Sequence, residues 1–165
     1  MFEFSASATL PLKPRFDNQA PRPKLGRMGR ILGVDFGEAR TGLAFSDESE
    51  TIATALPAWD RKGKLGLVEH LQSLISQHGI GKIVLGFPRN MDGSVGRIAE
   101  QVLKIKEDLS RATDLPILLW DERLSSVSAH RFLKENKLSS KKDKKVVDTI
   151  SAVLILQSYL DSQRK

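Results

Sequence analysis

The sequence predicts a mixed α/β fold, one sheet with helices on both faces. Three observations carry this. Residues 30–57 hold three short apolar runs punctuated by glycine and polar residues, as in a meander. Two later runs, GKIVLGF (81–87) and LPILLW (115–120), are continuously apolar and read as strands covered on both faces. Around them the apolar period changes to that of helices. Three strands, then helix, strand, helix, strand and two helices imply five strands in a mixed sheet.

Each element has its own signal. Strands are expected at 30–36, 40–46 and near 51–57. In residues 64–78, Val68, Leu71, Leu74 and Ile75 form a helical stripe, and Gly79 suits the end of that helix. Residues 94–111 carry Ile98, Val102, Ile105 and Leu109 on one side of a second helix. A shorter helix is expected at about 126–136. The last, at about 147–162, has a middle, ISAVLIL, that is apolar nearly all round and should be well buried.

Residues 1–27 stand apart. They contain four of the seven prolines, a net charge of +3 and no sustained periodicity. They are expected to be a disordered, basic, proline-rich extension before a folded domain at 28–165. They lack the apolar core of a secretory signal. Met28, just before the first strand, is an alternative start.

Composition narrows the function. The 165 residues suffice for one domain with a core. There is no cysteine, so disulfides and thiolate metal sites are excluded, and a reducing, cytoplasmic setting is expected. No apolar run approaches the ~20 residues of a membrane span, so no membrane partner is expected. The net charge of +6 and pI of about 9.7 suit a polyanionic partner.

Several acids are expected beyond the carboxyl ends of the strands, where ligands collect in such sheets. Asp35 follows the apolar start of ILGVDFGEARTGLAFSD, where an unpaired buried charge is costly. Asp121 and Glu122 follow the strand ending at Trp120, and Asp148 begins the last helix. Clustered carboxylates suit hard cations such as Mg²⁺ or Mn²⁺. Two such ions about 4 Å apart promote phosphodiester cleavage. Each acid also has a plainer reading: Asp35 as a turn residue, Asp121 as a helix cap, Asp148 as a favourable charge at a helix start.

A basic run precedes Asp148. Lys134 to Lys145 carries six lysines and two acids. It is expected to be a loop, and beside an acidic metal site its lysines would hold a phosphate backbone. GFPRNMDGS (86–94) is not a Walker loop, but Arg89 and Arg97 flank a shaped turn fit for a phosphate. His70, His78 and His130 lack partners at triad or metal spacing. Trp59 and Trp120 are expected in the core or at its edge rather than as base-stacking platforms.

Together these segments resemble the YqgF family, Holliday-junction-resolvase-like proteins described as pre-16S rRNA nucleases. The resemblance covers residues 28–162. ILGVDFGEARTGLAFSD is similar to the family's first hairpin, with Asp35, Gly37, Arg40, Gly42 and Asp47 in matching places. IVLGFPRNMDGS is similar to its central loop, DERLSS to its acidic strand end and VVDTISAVLILQSYL to its last helix. The resemblance implies a ribonuclease H-like fold and an acidic, metal-binding catalytic triad of Asp35, Glu122 and Asp148. On that basis Glu122 is preferred to Asp121, a choice spacing alone leaves open. Departures include Arg89 at a usually apolar position and Ser126 in place of a threonine, which bear on substrate contacts.

The resulting expectation is a Mg²⁺- or Mn²⁺-dependent nuclease trimming the 5′ end of pre-16S rRNA. Nucleic-acid contacts fall to Arg40, Arg89, Arg97, Arg123, Lys141, Lys142, Lys144 and Lys145. Branched DNA is an alternative substrate, and the state is a monomer or a homodimer. A resolvase needs two symmetric sites and hence a dimer. Rival readings are a phosphate-binding ATPase, disfavoured by length, and a non-catalytic RNA-binding module.

Overall fold

A computed structural model describes residues 29–63, 65–90, 92–123 and 144–164, the last group with side chains from Ile150 onward. The expected extension at 1–27, the helix at 126–136, His130, Lys141, Lys142 and the side chains of Lys144, Lys145 and Asp148 lie outside the described residues.

β1 (Arg30–Phe36), β2 (Arg40–Ser46) and β3 (Ala53–Asp60) form the antiparallel meander. α1 (Leu67–His78) leads to β4 (Ile80–Phe87), and α2 (Arg97–Ala112) leads to β5 (Ile117–Asp121). α3 is Lys144–Gln163. The sheet order is β3-β2-β1-β4-β5, with β4 parallel to both β1 and β5. The expected five-stranded mixed sheet is present.

Strand alternation divides the core in two. Leu32, Val34, Ile83, Leu85 and Leu119 pack on one face with Leu71, Val102 and Leu109 of α1 and α2. Ile31, Val84 and Trp120 pack on the other with Ala152, Ile155, Leu156 and Tyr159 of α3. α3 approaches β1 closely because position 33 is glycine. A Cβ there would stand 2.8 Å from Leu156 Cβ. Tyr159 meets Lys82, and Ile155 lies against Gly86. Hence α3 runs antiparallel to β4, and its first turn lies toward the ends of the parallel strands.

Several boundaries differ from expectation. β3 starts at Ala53 rather than 51, because the Thr51 and Ile52 amides donate to Asp47 Oδ1 and are held in a turn. α1 starts at Leu67 rather than 64, with extended Gly66 as its cap. α2 starts at Arg97 rather than 94, because Asn90 and Ser94 close a loop first. β5 runs 117–121 rather than 115–120; Pro116 has no amide to donate, and its carbonyl accepts the Ile83 amide where the ladder begins. α3 begins at Lys144, so Lys144 and Lys145 belong to its first turn rather than to the expected loop. Lysine is a good helix former and extends the turn backwards. Gly79 ends α1 in the left-handed conformation, as expected (φ 61°). Among the described residues, no helix is long and apolar enough to cross a membrane.

Candidate active site at the carboxyl edge of the sheet

β1, β4 and β5 end side by side. Val34 pairs with Leu85 and Leu85 with Leu119, so Asp35 is level with Gly86, and Gly86 is paired with Trp120. Asp35 shares parity with Ile31 and lies on the α3 side of the sheet. Glu122 shares parity with Trp120 and reaches the same side, its amide donating to the Phe87 carbonyl (3.3 Å). Its carboxylate lies over Gly86. A Cβ on Gly86 would stand 2.7 Å from Glu122 Oε1 and 2.7 Å from Ile155 Cδ1. The missing side chain makes room for the acid beneath α3.

Electrostatics set Glu122 apart. Burial pushes its carboxyl up to about 8, and the negative charges of Asp35 and Asp121 add to the rise. Asp121 goes the other way. Burial alone would raise it, but hydrogen bonds and charge from Arg123, helped by Arg89, hold it below the usual range. Arg123 Nε donates to both Asp121 oxygens at 3.0 Å and its Nη2 to Oδ2 at 2.5 Å.

The charges of Asp35 and Glu122 oppose each other at this edge, and Glu122 is buried over a glycine, so the pair forms an oxygen donor set that a hard cation would relieve. The residues present therefore fit a divalent ion. Among the described residues, no three acidic or histidine side chains stand together in metal-holding geometry. Position 148 lies near the start of α3.

Among the described residues, Arg40, Arg89, Arg97 and Arg123 begin or follow elements at this edge. Arg40 begins β2 and pairs with Asp60 (3.6 Å). Arg97 begins α2 and pairs with Glu38 (2.6 Å). Arg89 follows β4, with Nη2 3.5 Å from the Gly93 carbonyl. The histidines with described positions lie elsewhere: His78 stacks on Phe45, and His70 is partly buried in α1, which lowers its pKa. Trp120 is buried edge-on to Tyr159, as expected of a core residue. Sequence reasoning missed Gly86; the available signal was a glycine inside an apolar strand, which marks a close approach.

The sheet order with helices on its faces defines a ribonuclease H-like fold. The fold is similar to that of Thermus thermophilus RuvC bound to a Holliday junction (TM-score 0.55, 8% identity, covering 82% of this chain and 97% of that one). It is also similar to the yeast mitochondrial Holliday junction resolvase Ydc2 (TM-score 0.53, 15% identity, 88% and 82%). The family model RuvX, described as Holliday junction resolvase, matches residues 29–162. Relatives named "Putative pre-16S rRNA nuclease" include those of Caldanaerobacter subterraneus (42% identical over 136 residues, 82% of this chain and 98% of the relative) and Syntrophomonas wolfei (45% over 132 residues, 80% and 94%). The chain belongs to this family of nucleases, hydrolases of phosphodiester bonds.

Proposed function

We propose that the chain is a divalent-metal-dependent, cytoplasmic nuclease that processes the 5′ end of pre-16S rRNA during ribosome biogenesis. The observation that carries the reading is Glu122, buried over Gly86 at the carboxyl edge of the sheet and raised by the negative charge of Asp35. The names of the relatives support the substrate. Asp35 and Glu122 hold Mg²⁺ or Mn²⁺, with Asp148 as a third ligand from the start of α3. A bound ion supplies the Lewis acidity that activates water and stabilises the leaving oxygen.

The protein's own residues position the strand. Arg40, Arg89, Arg97, Arg123, Lys141, Lys142, Lys144 and Lys145 hold its phosphates. Asp121 acts as a positioning residue by orienting the Arg123 guanidinium. The test is cleavage of precursor RNA with added Mg²⁺ or Mn²⁺. Loss of a group that only orients a metal ligand typically costs about 10–100-fold, so Asp35→Asn, which alters a ligand itself, is expected to cost more than about 100-fold. Equal activity in Asp35→Asn overturns the mechanism.

The family description supports a second reading, resolution of a four-way DNA junction. The same acids would serve, but two sites must act symmetrically, which requires a homodimer. A monomer suffices for RNA trimming. Cleavage of a synthetic junction in preference to precursor RNA, by a dimeric chain, would favour the DNA substrate.

A further inference from the structure

The face of the sheet opposite α3 holds a cavity of about 410 Å³. That is within the ~300–1,000 Å³ usual for ligand sites. It opens at the end of β1, between β3, the start of α1 and the middle of α2. Its aromatic walls are Phe36 and Trp59. Both residues are paired with Thr41, one across β1–β2 and the other across β2–β3, so the rings flank that threonine on one face. Thr41 is fully buried, and among the described residues its Oγ1 has no hydrogen-bond partner. Trp59 Nε1 donates to the Leu65 carbonyl at 3.1 Å, which fixes the indole as a wall.

The rim has a definite charge character. Glu38, Glu69 and Asp108 stand against Arg61 and Lys104, and Glu38 is also paired with Arg97. Among the described lining residues there is no surplus of positive charge, so they offer little to a phosphate. The cavity suits a flat, uncharged group that stacks on the rings and donates amine hydrogens to the carboxylates. Such a group is a nucleobase. Phe36 directly follows Asp35, with Cα atoms about 3.8 Å apart. The cavity and the carboxylate pair therefore share the end of β1, on opposite faces.

We propose that this cavity receives one unpaired base of the substrate strand, which passes round the end of β1 from the phosphodiester held at Asp35 and Glu122 on the other face. This deepens the nuclease reading and rests on it for the identity of the strand. A base stacked here selects single-stranded over duplex segments, because a paired base has no free face or edge to offer.

The test reads tryptophan fluorescence of the full chain in EDTA, titrated with a short single-stranded RNA, the same RNA as a duplex, or free AMP. The chain has two tryptophans, and Trp120 is buried against Tyr159, so Trp59 reports on the cavity. The single strand should quench the signal and the duplex should not. Trp59→Ala should weaken single-strand affinity about tenfold, the effect of losing one stacking platform, and leave duplex affinity unchanged. Trp59→Phe should keep the affinity and lose the quench. With the unaltered chain, abasic replacement at one position of the RNA should abolish the quench, which tests the idea even where Trp59→Ala fails to fold. Equal quenching by the duplex, unchanged affinity in Trp59→Ala, or full quenching by AMP at the concentration of the RNA overturns the proposal. Binding in EDTA involves no cleavage. Its failure therefore leaves the nuclease reading standing, whereas Asp35-independent cleavage would sink that reading alone.

Discussion

Asp47 and Glu122 both follow strands of one sheet, and their carboxyls are driven in opposite directions. Asp47 sits just past β2 in the turn to β3. Its Oδ1 accepts the amides of Thr51 (2.6 Å) and Ile52 (2.7 Å), and its Oδ2 accepts the Ser49 hydroxyl. These bonds, led by that of Ser49, pull its pKa down to about 2. Glu122, buried beside Asp35, is pushed up to about 8. An acid with donors in its own turn is satisfied within the chain. An acid buried against a second acid is satisfied by a proton or by a cation. The contrast recurs one residue away, where Asp121 is held low by Arg123. Strand alternation sends these neighbours to opposite faces and to different chemistry.

Gly86→Ala should disturb one side of this contrast most. Its new Cβ would meet Glu122 Oε1 and Ile155 Cδ1, both at 2.7 Å. Each is the far end of a flexible side chain, so the fold yields at a cost of about 1 kcal/mol. The carboxylate yields too, and a displacement near 1 Å costs about 10²-fold in rate. Precursor RNA cleavage should fall by that order while the melting temperature changes little. Full cleavage by Gly86→Ala would show that the position of Glu122 over that glycine is immaterial to the reaction.

Glu122→Gln sharpens the same contrast through pH. The ordinary value of 4.5 rises to about 8 on folding, so between those values the folded chain holds a proton that the unfolded chain has released. Stability of the metal-free protein must therefore fall as pH rises from about 5 to 8 and level off above. Glu122→Gln should flatten that slope. At pH 8 it should stabilise the metal-free chain by at least about 1 kcal/mol, or about 2–4 °C in Tm. Added Mg²⁺ or Mn²⁺ should raise the Tm of the unaltered chain at pH 8 with partial release of the Glu122 proton, and do so less in the variant. A slope that persists in Glu122→Gln assigns it to another group.

The layout of this edge was largely legible in the sequence. Change of apolar period revealed the order of strands and helices, and the position of Asp35 after an apolar run put an acid at a strand end. Parity and register together bring Asp35 and Glu122 to the α3 face. Spacing alone did not choose between Asp121 and Glu122, because that choice needs the register of β4 with β5. The role of Gly86 depends on Ile155, far along the chain, and no local pattern encodes it. The start of β3 was misjudged for a local reason: Asp47 captures the Thr51 and Ile52 amides and withholds them from the ladder. Trp59 read as a core-edge residue, and its place in a cavity wall emerges only when β3 is laid beside β2 and α1.

Asp47→Ala should have the smallest effect and tests the other half of the comparison. It removes the acceptor for two amides and a hydroxyl, yet the turn keeps outside support. Gln157 Nε2 (3.1 Å) and Arg164 Nη2 (2.5 Å) of the α3 end donate to the Thr51 carbonyl, and Gln157 Oε1 accepts the Ala53 amide (2.9 Å). The Tm should fall slightly, the Thr51 and Ile52 amides should exchange faster with solvent, and RNA cleavage should not change. The pH dependence has the opposite sign to that of Glu122. A carboxylate lowered to about 2 contributes stability that is present above its ordinary value near 4 and lost as pH falls toward 2. The difference between Asp47→Ala and the unaltered chain should therefore narrow in acid, while that of Glu122→Gln grows toward pH 8. If Asp47→Ala instead slows cleavage as much as Gly86→Ala, the turn and the catalytic edge are one coupled unit, and the division between a satisfied acid and a cation-seeking acid fails.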